Sequence, residues 1–75
     1  MKLVDVPAGT TVVVKSIPAG LGASITLREL GIVEGAKVKV IRNSPFGGPL
    51  IVEVNGARYA LGRGLASKVE VEPLH

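Results

Sequence analysis

The sequence predicts a mainly β protein, a small antiparallel barrel of about five short strands with one short helix. Three observations lead there. Stretches of strict apolar and polar alternation, rich in valine, recur along the chain, which is the period of half-buried strands. Asn55-Gly56 separates two such stretches, and both residues tolerate the positive φ of a type I′ hairpin turn. Within Leu27–Ile41 the hydrophobic spacing changes from helical to alternating, so a helix must hand over directly to a strand. Closing the sheet on itself hides edges that would otherwise aggregate.

Taken in order, Met1–Val6 is expected as a short edge strand, turned by Pro7-Ala8-Gly9. Thr11–Ile17 follows as a strand because its β-branched run fits a pleated surface. Lys15 facing solvent puts Val12 and Val14 inside, although the opposite face would bury Val13 and Ile17. The breaker-rich Ile17–Gly22 reads as a loop. Ser24 is placed as the helix N-cap, and Ile25 is expected to pack with Leu27 and Leu30. So short a helix gains too little from its own hydrogen bonds to stand alone, and must lie against the sheet.

Gly31 suits the left-handed residue that closes a helix, and Ile32-Val33-Glu34-Gly35 makes a tight corner. In Lys37–Ile41 the lysines face outward and Val38 and Val40 inward. Arg42–Pro49 is an irregular hairpin loop. Leu50–Asn55 turns Leu50, Val52 and Val54 inward and Glu53 outward, and Ala57–Leu61 pairs back on it across Asn55-Gly56. Gly62–Ala66 is expected as one turn of 3₁₀ helix. Ser67–Glu72 closes the barrel with Val69 and Val71 inward, Pro73 stops it, and Leu74-His75 is a frayed tail.

The 75 residues are expected to make one domain, whose core is thin because a chain this short buries only roughly 60% of its unfolded surface. No cysteine is present, which excludes disulfides, thiolate metal sites and cysteine nucleophiles. Hydrophobic residues make up 47% and the mean hydropathy is +0.44. Such a chain leaves apolar surface exposed, for a partner or a homo-oligomer contact. Its formal charge of +3 favours acidic partners. No apolar run approaches the ~18 residues of a membrane helix, and Asp5 and Pro7 interrupt the start too early for a secretory segment. A cytoplasmic protein without direct membrane insertion is expected.

Catalytic groups are scarce. The single histidine, His75, is terminal, and Asp5, Glu29, Glu34, Glu53, Glu70 and Glu72 fall on positions read as solvated rather than convergent on a cation. Gly20-x-Gly22 and Gly62-x-Gly64 lack the strand, helix and returning strand of a dinucleotide site. The only aromatics are Phe46 and Tyr59, too few for the stacking platform of a single-strand nucleic-acid binder. No enzyme, cofactor or metal site is expected. Two residues invite attention instead. Phe46, between Pro45 and Gly47, either tucks over the barrel mouth or is presented to a partner as an anchor. Arg63 either caps the barrel end or reaches a partner carboxylate.

From Leu27 to Val71 the sequence resembles the ferrous iron transport protein A (FeoA) family. The resemblance rests on Leu27-x-x-Leu30-Gly31, the Gly35 corner, the Pro45 loop ending at Pro49 and Leu50, and then Gly56, Leu61, Ala66 and the final alternating strand. Thr26 and Gly48 depart from it, standing where relatives often carry arginine and aspartate. The resemblance implies an SH3-like antiparallel β-barrel akin to the C-terminal domain of iron-dependent repressors. It also implies a cytoplasmic location and a partner in the FeoB-type GTPase-linked membrane ferrous iron transporter. It supplies no metal ligands. The expected function is a non-catalytic adaptor, with Ser44, Pro45, Phe46, Pro49 and Arg63 as the docking residues. The alternative is a stand-alone regulator-type barrel that binds nucleic acid or another protein.

Overall fold

Alternating burial is what organises the molecule. The computed structural model describes residues 1–18 and 20–74, with Leu21 by its backbone alone, so the tail at His75 lies outside the described residues. Five strands, β1 (Thr11–Ser16), β2 (Lys37–Arg42), β3 (Leu50–Val54), β4 (Ala57–Leu61) and β5 (Glu70–Pro73), form one antiparallel sheet in the order β4-β3-β2-β1-β5. The mainly β architecture is therefore the one the alternation predicts. On β1 the inward residues are Val12 and Val14, on β2 Val38 and Val40, and on β3 Leu50, Val52 and Val54, as expected. Val69 and Val71 complete the set.

The core is wholly aliphatic, with no buried polar side chain among the described residues. Burying a Val or Leu contributes roughly 1.5–3 kcal/mol each, so many small aliphatic contributions hold the fold together, with half-buried Tyr59 packed against them. Irregularities at Lys15 in β1 and Ile41 in β2 interrupt the pairing registers, and such bulges bend a sheet.

Helix α1 (Leu21–Glu29) begins earlier than expected. Gly20 is its N-cap, and Ser24 lies a full turn inside, its amide donating to Gly20 O at 3.0 Å. The expectation for Ile25 fails as well, because Ile25 is 44% exposed while Leu27 is fully buried. Two residues apart on a helix point about 200° away from each other, so only one of them can face the core. The helix end follows the sequence: Gly31 has φ +84, its amide bonds Arg28 O at 3.0 Å, and the Ile32 amide bonds Leu27 O at 2.9 Å. This is the Schellman pattern, with Leu27 and Ile32 buried at its hydrophobic contact. The corner lies one residue later than expected, closed by the Ala36 amide on Val33 O at 2.9 Å.

The N-terminal segment differs more. Met1–Val6 is not an edge strand: Lys2 makes one isolated bridge to Glu70, and Leu3–Asp5 then turns as 3₁₀ helix. Leu3 and Val6 are both fully buried, and their spacing of three would put them on opposite faces of a strand but on one face of a tight turn. Gly62–Ala66 also departs, in the other direction. Arg63–Ala66 is a single α-helical turn, α2, with Ala66 and Ser67 amides bonding four residues back. Strand β5 starts three residues later than expected and includes Pro73, which pairs with Val12.

Glu70 ties the N-terminus down. Its carboxylate accepts from the Met1 amino group at 2.8 Å and pairs with Lys2 Nζ at 2.9 Å. The Met1 ammonium first and Lys2 second hold it at about 2, down from 4.5. The folded value lies below the unfolded one, so the contribution is complete above about pH 4.5 and is lost as pH falls toward 2. Wild type should therefore lose more melting temperature than Glu70→Gln between pH 6 and pH 2, as calorimetry would measure; parallel curves would refute this role.

Candidate functional site

The β2–β3 connection is where an apolar side chain leaves the core. Ser44–Gly47 is a β-turn, closed by the Gly47 amide on Ser44 O at 3.3 Å, and Pro45 presets φ at its second position. Ser44 Oγ accepts from the Phe46 amide at 3.2 Å. Gly47 and Gly48 continue at φ +95 and +82, backbone that a side chain would strain. Phe46 stands at the tip, 97% exposed. At that exposure the ring is not tucked over the barrel mouth.

Arg63 turns inward onto the same loop. Its Nη2 donates to Asn43 Oδ1 at 2.9 Å and its Nη1 to Gly48 O at 3.1 Å. The guanidinium thus braces the two residues that flank the Phe46 turn. Gly62 and Gly64 flank it without positive φ, so backbone geometry does not require glycine at either place.

Asn43 is the residue that sequence reasoning missed. Its Nδ2 donates to Val4 O and Val6 O, both at 2.9 Å, while its Oδ1 accepts from Arg63. One half-buried side chain therefore joins the N-terminal turn, the start of the loop and α2. The only local sign was an asparagine entering a proline and glycine loop, which reads equally well as a turn former.

The structure thus holds Phe46 on a turn that Ser44 Oγ bonds and whose flanks, Asn43 and Gly48, Arg63 clamps, with Pro45 and Pro49 exposed beside them. Two braces and two stiff turn residues present a large apolar side chain, which lowers the entropy lost on binding. Elsewhere, Thr11, Lys37, Lys39, Glu53, Asn55 and Gly56 line an open cleft of about 230 Å³ on the outer face of the sheet. That is smaller than usual for a small-molecule site. Among the described residues no three His, Cys, Asp or Glu side chains converge on a metal position. No helix among them is long and apolar enough to cross a membrane.

The FeoA domain family matches residues 1–73. An Fe(2+) transport protein A of Methanocaldococcus jannaschii is 50% identical over 64 residues, covering 85% of this chain and 76% of that protein. The crystal structure of Stenotrophomonas maltophilia FeoA in complex with zinc is 37% identical, with a TM-score of 0.83 over 96% of this chain and 89% of that one. That protein is described as an SH3 domain protein and a candidate ferrous iron transport activating factor. A manganese-dependent transcriptional repressor shares the fold at 24% identity, with a TM-score of 0.89 over 97% of this chain and 40% of its own.

Proposed function

This chain belongs to the FeoA domain family, and on that premise we propose that it is a non-catalytic, cytoplasmic accessory factor of ferrous iron transport. It docks on the cytoplasmic part of a FeoB-type transporter and modulates uptake by binding. The observation that carries this reading is Phe46, fully presented on a turn that Ser44, Asn43 and Arg63 hold. An exposed aromatic on a stiff support is the kind of anchor that dominates protein interfaces, because it fills a pocket with little ordering of its own side.

The other described features agree with a recognition role. Histidine and cysteine are missing from every described position, and the outer cleft offers lysines, one glutamate and a threonine without a paired nucleophile and base. A single-strand nucleic-acid binder would set aromatic platforms on a basic face. Here Tyr59 is half-buried against the core and Phe46 sits on a loop, so neither lies among Lys15, Lys37 and Lys39.

Isothermal titration of this chain with the purified soluble cytoplasmic domain of the transporter from the same organism tests the reading. Saturable binding that survives 0.3 M salt is expected of an apolar anchor, whereas phosphate contacts weaken steeply with salt. No heat with the transporter domain, together with salt-sensitive binding to random duplex DNA, would replace it by the regulator reading.

A further inference from the structure

The two ends of the sheet are treated differently. Strand β5 is partly covered on its far side, because the Leu3 amide donates to Val69 O at 2.9 Å and the Val71 amide to Met1 O at 2.8 Å. Strand β4 has no such cover. Asn55 and Gly56 both have positive φ, 53 and 82, so the hairpin is a two-residue type I′ turn closed by a hydrogen-bonded Val54–Ala57 pair. Antiparallel ladders alternate. Val52–Tyr59 and Leu50–Leu61 are therefore the other bonded pairs, and the amides and carbonyls of Arg58 and Ala60 point away from the sheet. Among the described residues no backbone group meets them. Both residues are exposed, and β4 contains neither proline nor a bulge, two of the usual devices for blunting an edge.

We propose that the free edge of β4 takes up an extended acidic segment of the partner protein as an added strand. Backbone pairing through Arg58 and Ala60 supplies the attraction, as in other strand additions. The side chains specify what is added. Across the outer face Lys39, Glu53 and Arg58 stand directly opposite one another in a row of alternating charge, and Arg58 Nε holds Glu53 Oε1 at 3.3 Å. One acid between two cations leaves the row net positive, so an acid on the incoming strand beside Arg58 continues the alternation. On the inner face the next residue meets half-buried Tyr59, which suits an apolar side chain.

A second copy of this chain does not satisfy these terms. Pairing β4 with its own copy sets Arg58 against Ala60 about a two-fold axis at Tyr59, and β4 carries no acidic residue.

The inference rests on the docking reading above and adds a second contact to the Phe46 anchor. Hydrogen exchange of wild-type protein, alone and saturated with the transporter's soluble cytoplasmic domain, tests it. The Arg58 and Ala60 amides should slow by about tenfold or more in the complex, as expected for newly bonded edge amides. Ala60→Pro, which removes one of these amides, should weaken the complex by about tenfold. A complex in which both amides exchange as fast as in free protein overturns the edge assignment and leaves Phe46 docking standing. Absence of any complex overturns both. Protection that grows with protein concentration alone assigns the edge to a second copy and overturns the acidic segment.

Discussion

Asn43→Ala should be the most destabilising exchange outside the aliphatic core, costing about 2 kcal/mol and roughly 10 °C of melting temperature in a domain this small. The alanine strips three hydrogen bonds at once and leaves Val4 O and Val6 O without their donor in a half-buried place. It also frees the Arg63 guanidinium from one of its two anchors. The N-terminal turn that buries Leu3 and Val6 is then fixed mainly by the Leu3 amide on Val69 O and the Glu70 contacts. Asn43→Asp is informative beside it, because a carboxylate keeps the Arg63 contact but cannot donate to the two carbonyls. Thermal unfolding should place Asn43→Asp as low as Asn43→Ala or lower. An aspartate variant as stable as wild type would show that the Val4 and Val6 bonds contribute nothing.

Phe46→Ala should leave stability unchanged and weaken transporter binding by about thirtyfold, the effect of removing an interface hot spot of roughly 2 kcal/mol. The first half follows from the 97% exposure of the ring, which has almost no packing to lose. The second follows from its support. Pro45, the Ser44 hydroxyl and the Arg63 brace fix the turn before any partner arrives, so the affinity of the ring is not spent on ordering the loop. Phe46→Leu should retain part of the affinity, because it keeps apolar bulk and loses only the aromatic fit.

The strands were legible because alternation and burial are the same fact seen twice. Lys37-Val38-Lys39-Val40 could bury only the valines, and Asn55-Gly56 could turn only one way. Gly31 marked the helix end for an equally local reason, since few other residues accept φ +84. Ser24 satisfies a local capping preference, which draws the expected helix start too late, whereas α1 begins directly after Gly20, whose backbone is still extended. In the N-terminal segment the spacing of Leu3 and Val6 was present in the sequence, but two residues are too few for periodicity to choose between strand and turn.

The candidate site was half legible. A lone phenylalanine in a proline and glycine loop drew attention by its rarity, and the turn chemistry of Ser44–Gly47 then carried it outward. The bracing was hidden, because Asn43 meets Val4 and Val6 across 39 and 37 residues of chain and Arg63 meets Asn43 across 20. Such contacts leave no periodic trace. The free edge of β4 likewise follows from the hydrogen-bond phase set by one turn and from strand order, and strand order is a property of the assembled sheet.

A double-mutant cycle between Arg63→Ala and Phe46→Ala, read as affinity for the transporter's soluble cytoplasmic domain by titration calorimetry, tests the central claim most directly. If Arg63 acts by bracing the turn that presents Phe46, Arg63→Ala weakens binding in the wild-type background and adds almost nothing once Phe46 is gone. Equal, additive losses in both backgrounds would mean that Arg63 meets the partner itself and that the braced turn is not what the partner reads.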